Sequence, residues 1–521
     1  MMRRISRREF MRKTAAGTAA GYLGLTGVSG ALDAAVASET ASTSKAHAPN
    51  IVFVLADDFG YGSLNYYGAN KDLIRTPNID RIAAQGVHLT NASSIVSVCT
   101  PTRYSLLTGE YSWRKEELAW GVAGFHDPLL IDRDRESLAG MLKRNGYQTA
   151  MIGKWHLGYG EGTSTRETWI EHLTTGPLDV GFDYHFGVPH NHGTMINVFV
   201  ENETVYGLRS DRMSSFGRSW YGPRYWGIDA PQRVNENVTQ DLTDKAIEWL
   251  RKRDKEAPFF LYFAPVAVHH PITPSPYMRG KSDAGAYGDF IQDLDHSVGQ
   301  LFQALEYMGV ADNTLFIFTS DDGGDIPGDP ETPERQAIDS GLETNAPFRG
   351  DKHTIWEGGH RVPFVARWPG HIPEGSSSDA MINITDVLAT LTELVEGKPP
   401  SSEAAPDSFS FLPALLEPDG SFGTARESRI NGNMGGMLAI RRGPWKYIEG
   451  VYPDVTPEQF HHEPNEPQLY NLDQDIREEN NVIEAYPEIA AQLQRELDAI
   501  REAPSERVLM ETHGDMFRLD D

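Results

Sequence analysis

Four aspartates stand in two adjacent pairs, Asp57-Asp58 and Asp321-Asp322, far apart along the chain. Each pair closely follows a short apolar run: Asn50–Ala56 (NIVFVLA) before the first and residues 315–319 before the second. Continuous apolar runs bounded by polar residues mark buried parallel strands. In an open α/β sheet, ligands collect at the carboxyl ends of the strands. Two carboxylate pairs delivered to that edge make an all-oxygen site for a hard cation, and Ca²⁺ suits it better than a transition metal. One pair alone would read as ordinary turn aspartates. The single cysteine, Cys99, opens the run Cys99-Thr100-Pro101-Thr102-Arg103 that leads to Gly109. Thr100 as N-cap, Pro101 at the first helical position and Gly109 as the stop predict a short helix, with Cys99 just before its N-terminus. Free backbone N–H groups and the helix dipole favour an anion there. The bland alternative is a buried apolar thiol, the usual fate of a lone cysteine.

Similar apolar runs at residues 149–152, 259–263 and 362–366 extend the strand pattern. Helical patterns, for example at 137–143 and 242–251, lie between them. Strands alternating with helices imply a mostly parallel sheet covered on both faces. Residues 384–395 read as another helix, with Ile384, Val387, Leu388, Leu391 and Val395 on one face and Gly397 as its stop. Residues 399–410 are Pro- and Ser-rich and read as a loop. Beyond about residue 425 short strand-like pieces appear at 437–441 and Trp445–Ile448. A helix at 487–500 follows, with Ile489, Leu493, Leu497 and Ile500 on one face. The fold expected is α/β: a large mixed, mostly parallel sheet sandwiched by helices over 49–424, and a smaller subdomain of antiparallel sheet plus helix over 425–521.

Composition narrows the chemistry further. The 521 residues carry 47 Lys+Arg against 74 Asp+Glu, a net charge of −27. That balance argues against nucleic-acid or anionic-membrane partners, which need clustered positive charge. One cysteine excludes an intramolecular disulfide and any Cys-based zinc or iron–sulfur centre. The N-terminus stands apart. Arg3, Arg4, Arg7, Arg8, Arg12 and Lys13 precede an uncharged Ala/Gly-rich stretch and then small residues around Ala35-Val36-Ala37. Residues 1–37 therefore resemble a leader, and Ser6-Arg7-Arg8-Glu9-Phe10 resembles a twin-arginine export signal. A linker at 38–48 would follow. The expected location is periplasmic or secreted, with the twin-arginine translocase as a partner and no stable membrane anchor.

The run from Cys99 through Pro101, Arg103 and Leu106 to Gly109 resembles the signature of the sulfatase family, in the alkaline phosphatase superfamily. Gly153-Lys154-Trp155-His156-Leu157-Gly158 resembles that family's second signature. Residues 50–62, Ser320-Asp321-Asp322-Gly323 and 349–361 look like further family blocks in the expected order. The resemblance covers roughly residues 49–500 and implies an alkaline phosphatase-like fold. It also implies that a formylglycine-generating enzyme oxidises Cys99 to an aldehyde, recognising Pro101 and Arg103. The hydrated aldehyde is a gem-diol whose hydroxyl attacks a sulfate ester. A sulfo-enzyme forms, and the second hydroxyl then expels sulfate. By the same resemblance, Asp57, Asp58, Asp321 and Asp322 hold Ca²⁺, which polarises the ester and eases loss of the diol proton. Arg103 stabilises the diol, and Lys154 and Lys352 contact sulfate oxygens. His156 is the base for sulfate release. His269 is the acid for the leaving alcohol, chosen over His270 because the family pattern is His-x-Pro. Two departures stand out: the fourth metal position, usually Asn, is Asp322, and Lys352 is flanked by Asp351 and His353.

Specificity is less legible. Residues 216–226 (FGRSWYGPRYW) hold Arg218, Trp220 and Arg224, suited to stacking on sugar rings and pairing with sulfate, or to packing as a lid. His190 and His192 are candidate pocket residues, and the turn at 356–360 reads as structural. The expected function is hydrolysis of sulfate esters on a sulfated saccharide. Two alternatives remain open: a phosphate or phosphonate ester hydrolase, and a non-catalytic binder of sulfated glycans in which Cys99 stays a thiol.

Overall fold

The structure, a computed structural model, describes residues 48–118, 121–162, 168–214, 227–418, 426–450, 466–517 and 519. The expected leader, most of the linker, and Arg218, Trp220 and Arg224 lie outside the described residues. No helix among the described residues is long and apolar enough to cross a membrane.

The run NIVFVLA does form a strand, Asn50–Ala56, buried along its whole length. It lies in the middle of a ten-stranded sheet. Thr314–Ser320 pairs with it on one side and Phe259–Ala264 on the other, both parallel, and Gln148–Lys154 and Tyr184–Val188 continue the parallel block. Phe364–Arg367 and Val87–Leu89 add antiparallel pairings beyond Thr314–Ser320, and the short strands Val200–Glu201 and Thr204–Val205 close the other edge. The expected large, mixed, mostly parallel sheet is the observed one.

Register decides what meets at the sheet edge. Ala56 faces Ser320, so Asp57 and Asp321 emerge side by side. Ala264 faces Gly153, so Lys154 and the chain leading to His269 emerge at the same edge. One sheet face packs Val52, Val54, Phe316, Phe318, Leu261 and Phe263 against apolar stripes of the helices Pro77–Ala84, Val238–Lys252 and Gly285–Tyr307. The stripe of the last comprises Phe290, Ile291, Leu294, Val298 and Leu301. It is the longest described helix, and its pattern was not read from the sequence. Three buried aspartates interrupt its apolar periodicity. Asp289 accepts from the N–H groups of Gly280, Lys281 and Ser282, Asp293 from Ser275, and Asp295 from Asn78 and Ile79.

The helix expected at 384–395 begins with a 3₁₀ turn, Ile384–Asp386, capped by Asn383, and becomes α-helical over Val387–Glu396. Gly397 stops it at φ 74°. The smaller sheet is antiparallel, in the order Ser428–Gly432, Leu438–Arg442, Trp445–Ile448 and Gln468–Asn471. Side chains alternate along its strands. Ile430, Ile440, Tyr447 and Leu469 pack on Leu493, Leu497 and Ile500 of the helix Pro487–Glu502. Ala439, Ile448 and Tyr470, from the opposite face, pack on Ile355 and Trp356, just before the short helix Glu357–His360.

Candidate active site

The two aspartate pairs are stitched together before any side chain meets a ligand. Asp321 N–H donates to Ala56 O (3.1 Å), and Asp58 N–H donates to Asp321 Oδ1 (3.1 Å). Asp58 takes φ 59°, a left-handed turn that aspartate tolerates better than most residues. Gly153 precedes Lys154 at φ 131°, and a Cβ there would sit 1.9 Å from Ala264 O. Only glycine lets the two strands close at that point.

The helix carrying the cysteine spans Cys99–Thr108, and every residue of it is buried. Its start corrects the expectation by two residues. Val98 is the cap position and Cys99 is the first helical residue. The Thr100 hydroxyl does not cap; it donates to His156 O (3.1 Å) and accepts from Ala123 N–H (3.1 Å). Gly109 ends the helix at φ 65°, as expected. Arg103 lies one turn beyond Cys99 and points to the aspartates.

These elements bring Asp57, Asp58, Cys99, Arg103, Lys154, His269, Asp321, Asp322 and Lys352 into one buried cluster. Lys154 Nζ lies 2.7 and 2.9 Å from the two oxygens of Asp57. Arg103 donates to Asp57 (3.1 Å), Asp321 (2.6 Å) and Lys154 O (3.1 Å). Lys352 Nζ lies 2.6 Å from both oxygens of Asp58 and 3.7 Å from Cys99 Sγ. The four aspartates are therefore not equivalent. Asp58, Asp321 and Asp322 form a set in which one oxygen from each lies within 4.8 Å of the others, while Asp57 groups with Cys99 and Asp321. No donor among the described residues reaches either oxygen of Asp322, although both are buried.

The charges explain the shifts. Burial, helped by Asp321 and Asp58, pushes Asp322 well above the usual carboxylate range. Burial lifts Asp57 to about 6, with Lys154 partly offsetting it. Burial would raise Asp321 as well, but Arg103, Lys154 and Lys352 outweigh it and hold this carboxyl low. Desolvation would lower Lys352, but Asp58, Cys99, Asp322 and Asp325 together outweigh it and push this lysine up. Burial drives the Cys99 thiol upward despite Lys154 and Lys352, so the thiol itself is neutral and a weak nucleophile. Counted as ionised, three cations face four carboxylates. One divalent ion would turn an excess of one negative charge into one positive, the balance an anionic ester needs.

The histidines divide. His269 Nδ1 donates to His270 O (2.6 Å), leaving Nε2 facing Asp58 at 3.8 Å, too far for a hydrogen bond. His156 and His190 both direct Nε2 at the carbonyl of Ala123, His156 at 3.2 Å, with ring centroids 4.3 Å apart. A carbonyl only accepts, so both carry the proton on Nε2 and present a bare Nδ1. Burial lowers all three histidines, and His190 falls to about 3. His192 turns instead to Thr273 Oγ1 (2.7 Å). Two neighbours were not singled out from the sequence: Asp325, and His270 other than as a rival to His269. His270 Nδ1 lies 3.7 Å from Asp325, and both lie beside Asp58. Asp325 stands three residues beyond Asp322, a proximity that could have flagged it.

The model of the family named Sulfatase matches residues 49–397. An N-acetylgalactosamine-6-O-sulfatase of Bacteroides thetaiotaomicron is 35% identical over 494 residues, covering 87% of this chain and 93% of that protein. The human N-acetylgalactosamine-6-sulfatase is 33% identical over 71% of this chain, which spans 66% of that protein's length. A solved structure titled for the metabolism of multiple glycosaminoglycans by Bacteroides thetaiotaomicron superposes with a TM-score of 0.80 at 34% identity, over 88% of this chain and all of that one. With its fold, its family blocks and its buried cysteine gathered at one sheet edge, this chain belongs to the sulfatase family and is a sulfuric ester hydrolase.

Proposed function

We propose that the chain removes sulfate from 6-O-sulfated N-acetylgalactosamine residues of a glycan, using a formylglycine made from Cys99 and a bound Ca²⁺. The observation that carries this reading is a neutral, buried thiol held 3.7 Å from Lys352 beside two further cations and four carboxylates. As a thiol it does little; converted to a hydrated aldehyde, the same position supplies a hydroxyl nucleophile in a cationic setting. The similarity to N-acetylgalactosamine-6-sulfatases supports the sugar and the position.

The residues fit a hard cation. Asp58, Asp321 and Asp322 offer only oxygen, and a cation would compensate the two buried oxygens of Asp322, which receive no donor among the described residues. When bound, Ca²⁺ supplies Lewis acidity that polarises a sulfate oxygen and favours ionisation of the nucleophile. Asp57, held by Lys154 and Arg103, orients those cations and completes the set. Lys154 and Lys352 draw the sulfate oxygens in, and Arg103 stabilises the nucleophile. His156, with Nδ1 bare, takes the proton when sulfate leaves. With Nδ1–H held by the His270 carbonyl, His269 must first take up a second proton from solvent on Nε2, the nitrogen that faces Asp58, and it then gives that proton to the departing sugar alcohol. His190 and His192 are proposed to line the approach to the sugar, and Arg218, Trp220 and Arg224, which lie outside the described residues, are proposed to bind it.

Residues 1–37 direct export through the twin-arginine translocase to the periplasm or beyond, 38–48 link, 49–424 form the catalytic domain and 425–521 the C-terminal subdomain. A formylglycine-generating enzyme acts on Cys99 first. The test is sulfate release from N-acetylgalactosamine 6-sulfate and 4-sulfate, with peptide mass spectrometry at Cys99. Release from the 6-sulfate, an aldehyde mass at Cys99, and loss of both in Cys99→Ala are expected. An active enzyme with an intact thiol, or a preference for the 4-sulfate, would refute the reading.

A further inference from the structure

The turn that carries Lys352 is held from two sides: Lys352 N–H donates to Gly324 O (3.2 Å) and His353 N–H to Ser97 O (2.9 Å), and the loop around it reaches a residue outside the site. In this tight turn Asp351 N–H donates to Thr354 Oγ1 (3.0 Å), His353 takes φ 77°, and Gly358 N–H closes the base on Arg349 O (2.7 Å). Both ends of that loop reach Glu478, which follows the last strand of the small sheet. Arg349 Nη1 donates to Glu478 O (2.6 Å), and Glu357 N–H donates to Glu478 Oε2 (2.6 Å). Glu478 takes φ 53°, a left-handed conformation that presents carbonyl and carboxylate to the same loop. Lys446 completes the tie, lying 2.8 Å from the Glu478 carboxylate and 3.1 Å from that of Glu357, and donating to Ile355 O (3.0 Å). Glu357, Lys446 and Glu478 are fully buried.

We propose that Glu478 and Lys446 are positioning residues for the sulfatase reaction: they fix the 349–357 loop so that Lys352 meets Asp58 and the Cys99 position. This rests on the reading of Lys352 as a sulfate contact. Apolar packing of Ile355 and Trp356 alone would allow the loop to slide, because dispersion contacts are non-directional. A buried ion network costs desolvation and adds little stability, but it holds one register. The small sheet is thus a buttress whose charges set an active-site cation.

The test is Glu478→Gln in the full chain, assayed for sulfate release, alone and combined with Lys352→Ala. Displacing a catalytic group by about 1 Å costs up to about 100-fold, so a 10- to 100-fold loss of kcat/KM is expected, normalised to folded protein. In the Lys352→Ala background the same change is expected to cost less than about twofold, since the two act through one group. Arg349→Ala frees one loop end only and should give a smaller loss with the same dependence on Lys352. Glu479→Gln, on the exposed neighbour, should change nothing. Losses that multiply in the double variant, or activity that tracks only the folded fraction, would overturn the proposal. If Lys352→Ala alone leaves activity intact, the placement of Lys352 in the site fails, and the buttress with it.

Discussion

Asp322→Asn isolates the electrostatics of the carboxylate cluster. One oxygen of Asp322 lies within 4.8 Å of one oxygen each of Asp58 and Asp321, and neither Asp322 oxygen receives a donor among the described residues. Two unit charges at that distance repel by about 3–4 kcal/mol at an effective dielectric constant of about 20. Lys352 and Arg103 neutralise the neighbours but do not touch Asp322. Proton uptake relieves part of the repulsion, in keeping with a carboxyl lifted well above its usual range by burial and by Asp321. The relief left for asparagine is then about 1–2 kcal/mol at neutral pH. In a chain of this length that raises the metal-free Tm by a few degrees, at about 1–2 °C per kcal/mol. With Ca²⁺ the order should reverse. The wild type offers a carboxylate where the variant offers an amide, and an ion at a hundredfold excess over its Kd stabilises by about 2.7 kcal/mol. The assay is a pair of thermal melts, in chelator and across a Ca²⁺ titration. An asparagine variant that melts below the wild type in chelator, or gains as much from Ca²⁺, would refute the reasoning.

Three further outcomes follow from the geometry. Gly153→Ala places a Cβ 1.9 Å from Ala264 O at a φ of 131°, so it should shift Lys154, lower expression of folded protein and abolish sulfate release in what folds. His269→Ala should cost about 10²- to 10⁴-fold on a sugar sulfate, where the alcohol needs a proton, but under about tenfold on nitrophenyl sulfate, whose leaving group does not; equal losses on both would remove His269 as the acid. Burial lifts Asp295 to about 7, against about 3.9 unfolded, so the folded state holds a proton that the unfolded state releases. Stability should therefore fall as pH rises from about 4 to about 7, and urea midpoints of Asp295→Asn should show a flatter slope across that window.

The sequence revealed what local pattern encodes. The Asn50–Ala56 run announced a central strand, and the aspartates after it announced a sheet-edge site, because a parallel sheet puts strand ends together. Lys154, His156 and Lys352 became visible only through family blocks, since a single lysine or histidine carries no pattern of its own. The helix Gly285–Tyr307 escaped because Asp289, Asp293 and Asp295 break its stripe; their partners lie outside the helix, before it for Asp289 and Asp293 and 216 residues away, at Ile79, for Asp295. Thr100 looked like a cap by position, yet its hydroxyl serves His156 O, a contact across 56 residues. The unequal roles of Asp57 and Asp322 were equally hidden: they depend on which cation reaches which carboxylate. Glu478, 121 residues from Glu357, lies in a stretch with nothing to distinguish it.

The burial of Cys99, only 2% exposed, also sets a clock. On the formylglycine chemistry proposed above, a modifying enzyme could not reach that side chain once the helix Cys99–Thr108 had packed, so the oxidation would have to be finished on an unfolded chain. Two of the groups around it arrive late in synthesis: Lys352, and the small sheet that ends near residue 471. Ribosomes add roughly 5–20 residues per second, so the thiol stays reachable for tens of seconds after it emerges. If that conversion takes place, a variant that folded its N-terminal half faster would yield less active enzyme, because the chain would outrun its own activation.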